Sequence, residues 1–284
     1  MGYDSDKDQH YLDLLRSSRY EESSGSPSIA FGYESGDDNP LLRQLRVTYD
    51  LDGMAGRGTE AERLLSLLTW VHNAVKYDGG PACYMPPEKN ALHILAHPLS
   101  AEKGVNCRMM AIVLNEALLA LGWRSRFVTC IAHDVSDPDA HVVVTVFAQT
   151  LGRWIMLDPA FNAYLTDGQG RIVGLQEVRA AMIAGRPIGV SPGIGLNPGP
   201  GLDWWDGADL ATFYLGYMSK NLYRLETPVL SEFNYESVPK DRFYCSLQPL
   251  GYSLAGPKVV RTASGFRNLV VTTSRPEDFW APPE

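Results

Sequence analysis

Three residues that lie far apart in the sequence could together carry out acyl-transfer chemistry: Cys107, His141 and Asp158. A cysteine attacks a carbonyl carbon efficiently as thiolate, and a helix N-terminus or a nearby imidazolium favours that anion. A carboxylate beside the imidazole fixes its tautomer and stabilises its charged form. These residue types therefore predict a nucleophile, a base and an orienting carboxylate, provided that the fold brings them together.

The segment 104–123, GVNCRMMAIVLNEALLALGW, predicts a buried helix with Cys107 in its first turn. Its apolar stripe consists of Met110, Ala111, Leu114, Leu118 and Leu121. Asn106 is a typical N-cap, and Gly122 stands where helices commonly end. The unpaired N–H groups of this helix end, or the indole N–H of Trp70 or Trp154, could also stabilise an oxyanion, and the sequence leaves these donors open.

Runs rich in β-branched and aromatic residues predict three antiparallel strands after this helix. They are RSRFVTCIA, HVVVTVFAQ and RWIMLDP. His141 opens the second run, and Asp158 ends the third, where Pro159 terminates the pairing. The LGR turn at 151–153 joins these two runs in a hairpin, so we expect His141 and Asp158 to be cross-strand neighbours.

Segments rich in Gly, Pro and Ser divide the chain into three parts. Residues 1–60 are predicted to form a partly irregular N-terminal extension. Residues 61–185 form the core, with a helix over 61–76, a hairpin turn at Asp167-Gly168 and a helix ending at Gly185. Residues 186–284 begin with a Gly- and Pro-rich loop, predicted over 186–205, and form a C-terminal elaboration that packs on the core, although a separate domain is also open.

The ordered motifs from 104 to 160 resemble the transglutaminase-like superfamily. They are a Gly-x-x-Cys that opens a helix, LGWRSRFV, DAHVVVTVF and RWIMLDPAF, within a likeness that covers about residues 60–180. The tail TSRPEDFWAPP also resembles bacterial members with extended C-termini. The strand after His141 differs from the family's frequent His-Ala-Trp-x-Glu pattern, because it carries Val142, Val143 and Thr145.

This resemblance implies an α+β fold related to papain-like proteases, with Cys107 as nucleophile, His141 as base and Asp158 as orienting carboxylate. It implies a thioester intermediate on an amide or peptide substrate. No cofactor or metal is expected, since the sequence has no calcium-loop pattern such as DxDxDG. Hydrolysis is favoured, while transfer to an amine is the alternative, and a non-catalytic binding module on the same fold is a further one.

Rival assignments exist for each chemical residue. His133 could replace His141 as base, although it precedes a turn-rich segment. His72, His93 and His97 are interpreted as satisfied or partly exposed side chains, since they form no HExxH or clustered metal pattern. Cys83, Cys130 and Cys245 are interpreted as structural, and Asp137 and Asp139 as solvated turn acids.

Composition sets the remaining limits. The 284 residues are 45% hydrophobic and 20% charged with a net charge of −8, which is typical of a globular protein and disfavours nucleic acid as partner. No apolar run reaches the ~18 residues of a membrane span, and no signal-peptide pattern opens the chain. We therefore expect a soluble protein with a peptide, protein or small amide as substrate, and leave its compartment and oligomeric state open.

Overall fold

The chain folds into helices that pack against one mainly antiparallel sheet, in a computed structural model that describes residues 5–22, 25–197, 209–252, 258–261 and 265–283. The helices are α1 (Ser5–Ser17), α2 (Pro40–Thr48), α3 (Leu51–Ala55), α4 (Glu60–Ala74), α5 (Ala91–Leu95), α6 (Cys107–Ala120), α7 (Leu175–Ile183), α8 (Leu210–Asn221) and α9 (Pro276–Trp280). The strands are β1 (Gly32–Tyr33), β2 (Ser125–Ile131), β3 (Ala140–Ala148), β4 (Arg153–Leu157), β5 (Leu165–Asp167), β6 (Ile188–Val190), β7 (Arg224–Pro228), β8 (Leu230–Ser231), β9 (Arg242–Leu247), β10 (Lys258–Arg261) and β11 (Arg267–Thr273). The α+β class expected from the sequence is confirmed.

The main sheet has the strand order β10-β11-β9-β7-β2-β3-β4. All of its pairs are antiparallel except β11 with β9. The three predicted strands correspond to β2, β3 and β4, which are neighbours as expected. The strands from the C-terminal part of the chain extend the same sheet, because β7 pairs with β2.

Helix α6 lies at the centre of the core. Every residue from Met109 to Ala120 is buried, and the helix contacts α2, α4 and α5 as well as β2 and β3. A helix that is buried on all sides is typical of such a position, since each face needs a packing partner. Its first residue, Cys107, is therefore held by an element that cannot shift without disturbing the core.

Helix α4 is joined to the hairpin that carries His141. A capping box between Thr59 and Glu62 closes its N-terminus. Glu60, the first residue of α4, accepts hydrogen bonds from the indole N–H of Trp123 at 3.1 Å and from the backbone N–H of Thr150 at 2.7 Å. These contacts fix the turn between β3 and β4 against the helical layer.

The segments expected to be irregular also contain some regular structure. Residues 1–60 contain α1, α2 and α3, because a cap such as Asn39 followed by Pro40 begins a helix even where the apolar pattern is short. The loop predicted over 186–205 contains β6, which pairs with β5 in a small separate sheet that tolerates neighbouring Gly and Pro. Residues 198–205 of that loop lie outside the described residues.

Within the described parts of the chain, none of the helices combines the length and apolar character needed to cross a bilayer.

The cap of α6 gives a direct test of how the Cys107 segment is held. The side chain of Asn106 accepts a hydrogen bond from the backbone N–H of Met109 at 3.2 Å. Asn106→Ala should lower the free energy of unfolding by about 1 kcal/mol, whereas Asn106→Ser, which keeps an accepting oxygen, should retain most of it. Urea unfolding of both variants measures this difference, and equal losses would contradict the capping role.

Candidate active site

The turn before Cys107 is fixed by backbone hydrogen bonds to the segment after α4. Val105 donates to the carbonyl of Lys76 at 2.8 Å, and Asp78 donates to the carbonyl of Val105 at 2.8 Å. Gly104 is required here because a Cβ at this position would lie 2.4 Å from the carbonyl oxygen of Lys76. Cys107 itself is partly exposed at the first position of α6, as the sequence predicts.

His141 and Asp158 meet at the ends of their strands. The Nε2 atom of His141 lies 2.5 Å from Oδ2 of Asp158, and both side chains are essentially completely buried. They are not direct cross-strand partners, however, because the β3–β4 pairing ends at Val144 opposite Leu157, and His141 instead lies opposite Cys130 of β2. The expected contact thus forms diagonally, beyond the last paired residues of the hairpin.

The imidazole of His141 connects the carboxylate to the thiol. His141 forms hydrogen bonds with both Asp158 and Cys107, and since Nε2 faces Asp158, Nδ1 is the nitrogen left for the thiol. Burial alone lowers the pKa of His141, but the charge of Asp158 and the hydrogen bonds to Asp158 and Cys107 outweigh it and raise the pKa to about 10. The imidazole is therefore positively charged at neutral pH.

Asp158 is surrounded by hydrogen-bond donors. Its Oδ1 atom accepts the backbone N–H groups of Ala160 at 3.0 Å and Phe161 at 3.3 Å, as expected for an aspartate that starts a turn. Its Oδ2 atom accepts the hydroxyl of Tyr214 at 2.8 Å in addition to His141. The Pro159 carbonyl is fixed by Nδ1 of His72 at 3.0 Å, so this buried histidine is satisfied, as the sequence suggested.

Aromatic side chains enclose the imidazole. The centroid of the His141 ring lies 5.6 Å from that of Phe161, 6.5 Å from that of Tyr214 and 5.2 Å from that of Tyr217. Tyr214 and Tyr217 both come from α8, and sequence reasoning did not identify either of them. They lie three positions apart on an aromatic-rich helix, which is a signal for one shared face but not for what that face contacts.

The acids before His141 are more than solvated turn residues. The hydroxyl of Tyr217 donates to Asp139 at 3.1 Å, and Lys220 bridges Asp137 and Asp139 at 3.0 and 2.6 Å. These contacts connect the loop before β3 to α8. Tyr217, whose ring lies against His141, is thereby held by α8 at its backbone and by Asp139 at its hydroxyl.

The rival histidines contact other residues. His133 is exposed, and its ring packs against Tyr223 and Tyr252. His93 contacts Asn90, and His97 stacks on Tyr84 with its Nε2 at 2.8 Å from the carbonyl of Lys103. Among the residues that the structure describes, no three His, Cys, Asp or Glu side chains form a metal-binding group.

The other cysteines divide into two groups. Cys130 and Cys245 are buried in strands, and burial raises the pKa of each thiol. Cys83 is partly exposed and accepts a hydrogen bond from the backbone N–H of Asn106, which places it beside the Cys107 turn. Burial also raises the pKa of Cys83, so proximity does not make it resemble an activated nucleophile.

The tryptophans considered as oxyanion donors have other contacts. Trp154 donates its indole N–H to the carbonyl groups of Trp280 and Ala281 in the C-terminal tail, each at 3.1 Å. The ring of Trp70 lies against Tyr49. The indole N–H of Trp154 is thus bonded to the C-terminal tail. The ring of Trp70 packs between α4 and the end of α2.

One family model and several solved structures are similar to parts of this chain. A model of the transglutaminase-like superfamily matches residues 48–159. Among solved structures, a protein from Cytophaga hutchinsonii named as a putative cysteine protease is 19% identical, with 66% of this chain and 54% of that chain covered and a TM-score of 0.33. LapG of Legionella pneumophila is 14% identical, with 51% of this chain and 80% of LapG covered and a TM-score of 0.33. The chain thus spans about half the length of the Cytophaga protein, and no curated protein matches it.

The matched segment contains the helix that begins at Cys107 and the hairpin that carries His141 and Asp158. The resemblance expected from the sequence is therefore confirmed: the model of the transglutaminase-like superfamily matches this part of the chain, residues 48–159.

Proposed function

We propose that the protein is a cysteine-dependent enzyme that cleaves amide or peptide bonds through a thioester intermediate. The observation that carries this proposal is the hydrogen-bonded row from Cys107 through His141 to Asp158. The positively charged imidazole lies beside a partly exposed cysteine at the N-terminus of α6, where the helix dipole adds a partial positive charge. The family match supports the same type of chemistry, since the row lies within the matched segment.

The first half of the reaction forms the thioester. The thiolate of Cys107 attacks the carbonyl carbon of the substrate, and the charge moves to the carbonyl oxygen. The backbone N–H of Cys107, at the start of α6, is the donor we assign to this oxyanion. The imidazolium of His141 then gives its Nδ1 proton to the leaving amine as the carbon–nitrogen bond breaks, which leaves an acyl group on sulfur.

The second half transfers the acyl group to an acceptor. Neutral His141 takes a proton from water as the oxygen of that water attacks the thioester. The carbon–sulfur bond then breaks, the carboxylic acid leaves, and Cys107 and His141 return to thiolate and imidazolium. An amine in place of water would give a new amide by the same steps. We favour water, with a peptide or protein as substrate, because the sequence offers no dedicated amine site.

Selective alkylation tests the nucleophile. Iodoacetamide at neutral pH should label Cys107 faster than Cys83, Cys130 or Cys245, because only this thiol is hydrogen-bonded to His141 and lies at the end of α6. Peptide mapping by mass spectrometry over a time course gives the four rates. Labelling of Cys107 no faster than that of partly exposed Cys83 would contradict an activated thiolate.

Product analysis tests the reaction and the acceptor together. A mixed peptide library incubated with and without a primary amine should yield cleaved peptides under both conditions, and Cys107→Ala should abolish them. Cys245→Ser, which changes a buried thiol in β9, is the matched control and should leave cleavage intact. Amine incorporation in place of cleavage would assign the acceptor as an amine, and products from Cys107→Ala would overturn the proposal.

The pH dependence of turnover tests the role of the imidazolium. Folding raises the pKa of His141, so its charged form is complete at neutral pH and is lost as the pH rises through about 10. Turnover, which needs this proton for the leaving amine, should fall above about pH 10, while alkylation of Cys107 should not. Asp158→Asn removes the charge that raises this pKa, so its basic limb should move to lower pH, with turnover reduced on the order of 10³-fold. Unchanged limbs in pH–rate profiles of the two proteins would refute this role of Asp158.

A further inference from the structure

Among the described residues that hydrogen-bond to Asp158, Tyr214 comes from far outside the matched segment. It donates at 2.8 Å to Oδ2, which is the same oxygen that Nε2 of His141 contacts at 2.5 Å. The other oxygen, Oδ1, is already occupied by the backbone N–H groups of Ala160 and Phe161. Tyr214 and His141 therefore both form hydrogen bonds with the same carboxylate oxygen.

We propose that Tyr214 is a positioning residue that limits how tightly Asp158 holds the His141 imidazolium, so that this imidazolium can release its proton during the reaction. The inference rests on the proposed function, because it concerns the proton that the leaving amine must receive. A second donor on Oδ2 reduces the negative charge available to the His141 hydrogen bond. This weakens the hold of Asp158 on the imidazolium and makes the proton easier to release. A general acid works best when its pKa lies near the working pH, so moderation of an overly basic imidazole favours turnover.

The position of Tyr214 is suited to this task. Its side chain is completely buried, so its hydroxyl has Asp158 rather than bulk water as partner. Its ring packs at 5.0 Å from that of Phe161, the residue whose backbone N–H binds the other oxygen of Asp158. Burial, together with the charge of Asp158, raises the pKa of Tyr214 well above its usual value, so the hydroxyl stays protonated and keeps the proton that it donates to Asp158.

Other ionisable groups face the same pair and must stay constant in any comparison. They are Cys107 of α6, Cys130 of β2, Tyr77 after α4, Tyr217 of α8 and, through Tyr217, Asp139 with Lys220. Tyr214→Phe leaves all of them in place and removes one oxygen atom. The ring contacts with Phe161 and His141 are kept.

In Tyr214→Phe, we expect Oδ2 to serve His141 alone and to hold the imidazolium more tightly. The basic limb of the pH–rate profile should move up by about one pH unit, and kcat should fall about tenfold with little change in KM. The His141 Nε2 proton, assigned in proton NMR by its loss in Asp158→Asn, should move further downfield in Tyr214→Phe. If the basic limb of the pH–rate profile and the chemical shift of the His141 Nε2 proton both coincide with those of the wild type, the proposal is overturned.

The matched control is Tyr235→Phe. Tyr235 is also buried, and its hydroxyl is bonded on both sides, donating to the carbonyl of Phe243 at 2.6 Å and accepting from its N–H at 2.8 Å. This variant should lose stability in thermal unfolding but leave the resonance and the limb unchanged. The NMR readout also separates the two proposals: a wild type without Cys107-dependent turnover refutes the enzyme, whereas an unshifted Nε2 proton refutes the role of Tyr214 alone.

Discussion

The buried charge of Asp158 is the interaction on which the rest of the site depends. Removing a carboxylate from water costs several kcal/mol, and this cost is offset only if its oxygens find donors and an opposite charge nearby. Here four donors converge on the two oxygens, from His141, Tyr214 and the backbone of Ala160 and Phe161. The turn after Asp158, the end of β3 and the face of α8 are thus all arranged around one side chain.

The positive charge that compensates Asp158 is the imidazolium of His141. Because the same ring contacts Cys107, the cost of burying the carboxylate is coupled to the state of the thiol. Aromatic rings of Phe161, Tyr214 and Tyr217 keep water from the imidazole and so preserve the strength of the carboxylate's field. Cys107, unlike His141 and Asp158, is partly exposed to solvent, so the thiol lies at the surface while the charges behind it are shielded.

The sequence predicted those parts of the site that depend on local signals. The cap at Asn106, the helix that begins at Cys107 and the strand that ends at Asp158 each follow from a few neighbouring residues, and a four-residue turn brings the two strands together. Even there, the exact register was not readable, because a hairpin fixes which strands pair more firmly than which side chains meet beyond its last pair.

The non-local parts were not predictable from one sequence. Tyr214 lies 56 positions beyond Asp158, and helix α8 contains several aromatic residues that could equally serve as packing. Cys83 belongs to a segment rich in Gly and Pro with no period, and its place beside the Cys107 turn follows from the backbone bond of Tyr84 to Gly104 at 2.7 Å. In both cases a contact between distant elements, rather than a local propensity, decides where the side chain lies.

The path of the chain after α7 explains why residues beyond the matched segment complete the site. Helix α8 covers the imidazole and leads directly into β7, which pairs with β2 at Cys130, the residue opposite His141. One continuous stretch, 210–228, therefore both extends the sheet and packs against His141. Without it, β2 would lose a neighbour, Asp158 would lose a donor and His141 would lose two of its aromatic neighbours, so the stability of the sheet and the charge state of the site depend on the same contacts.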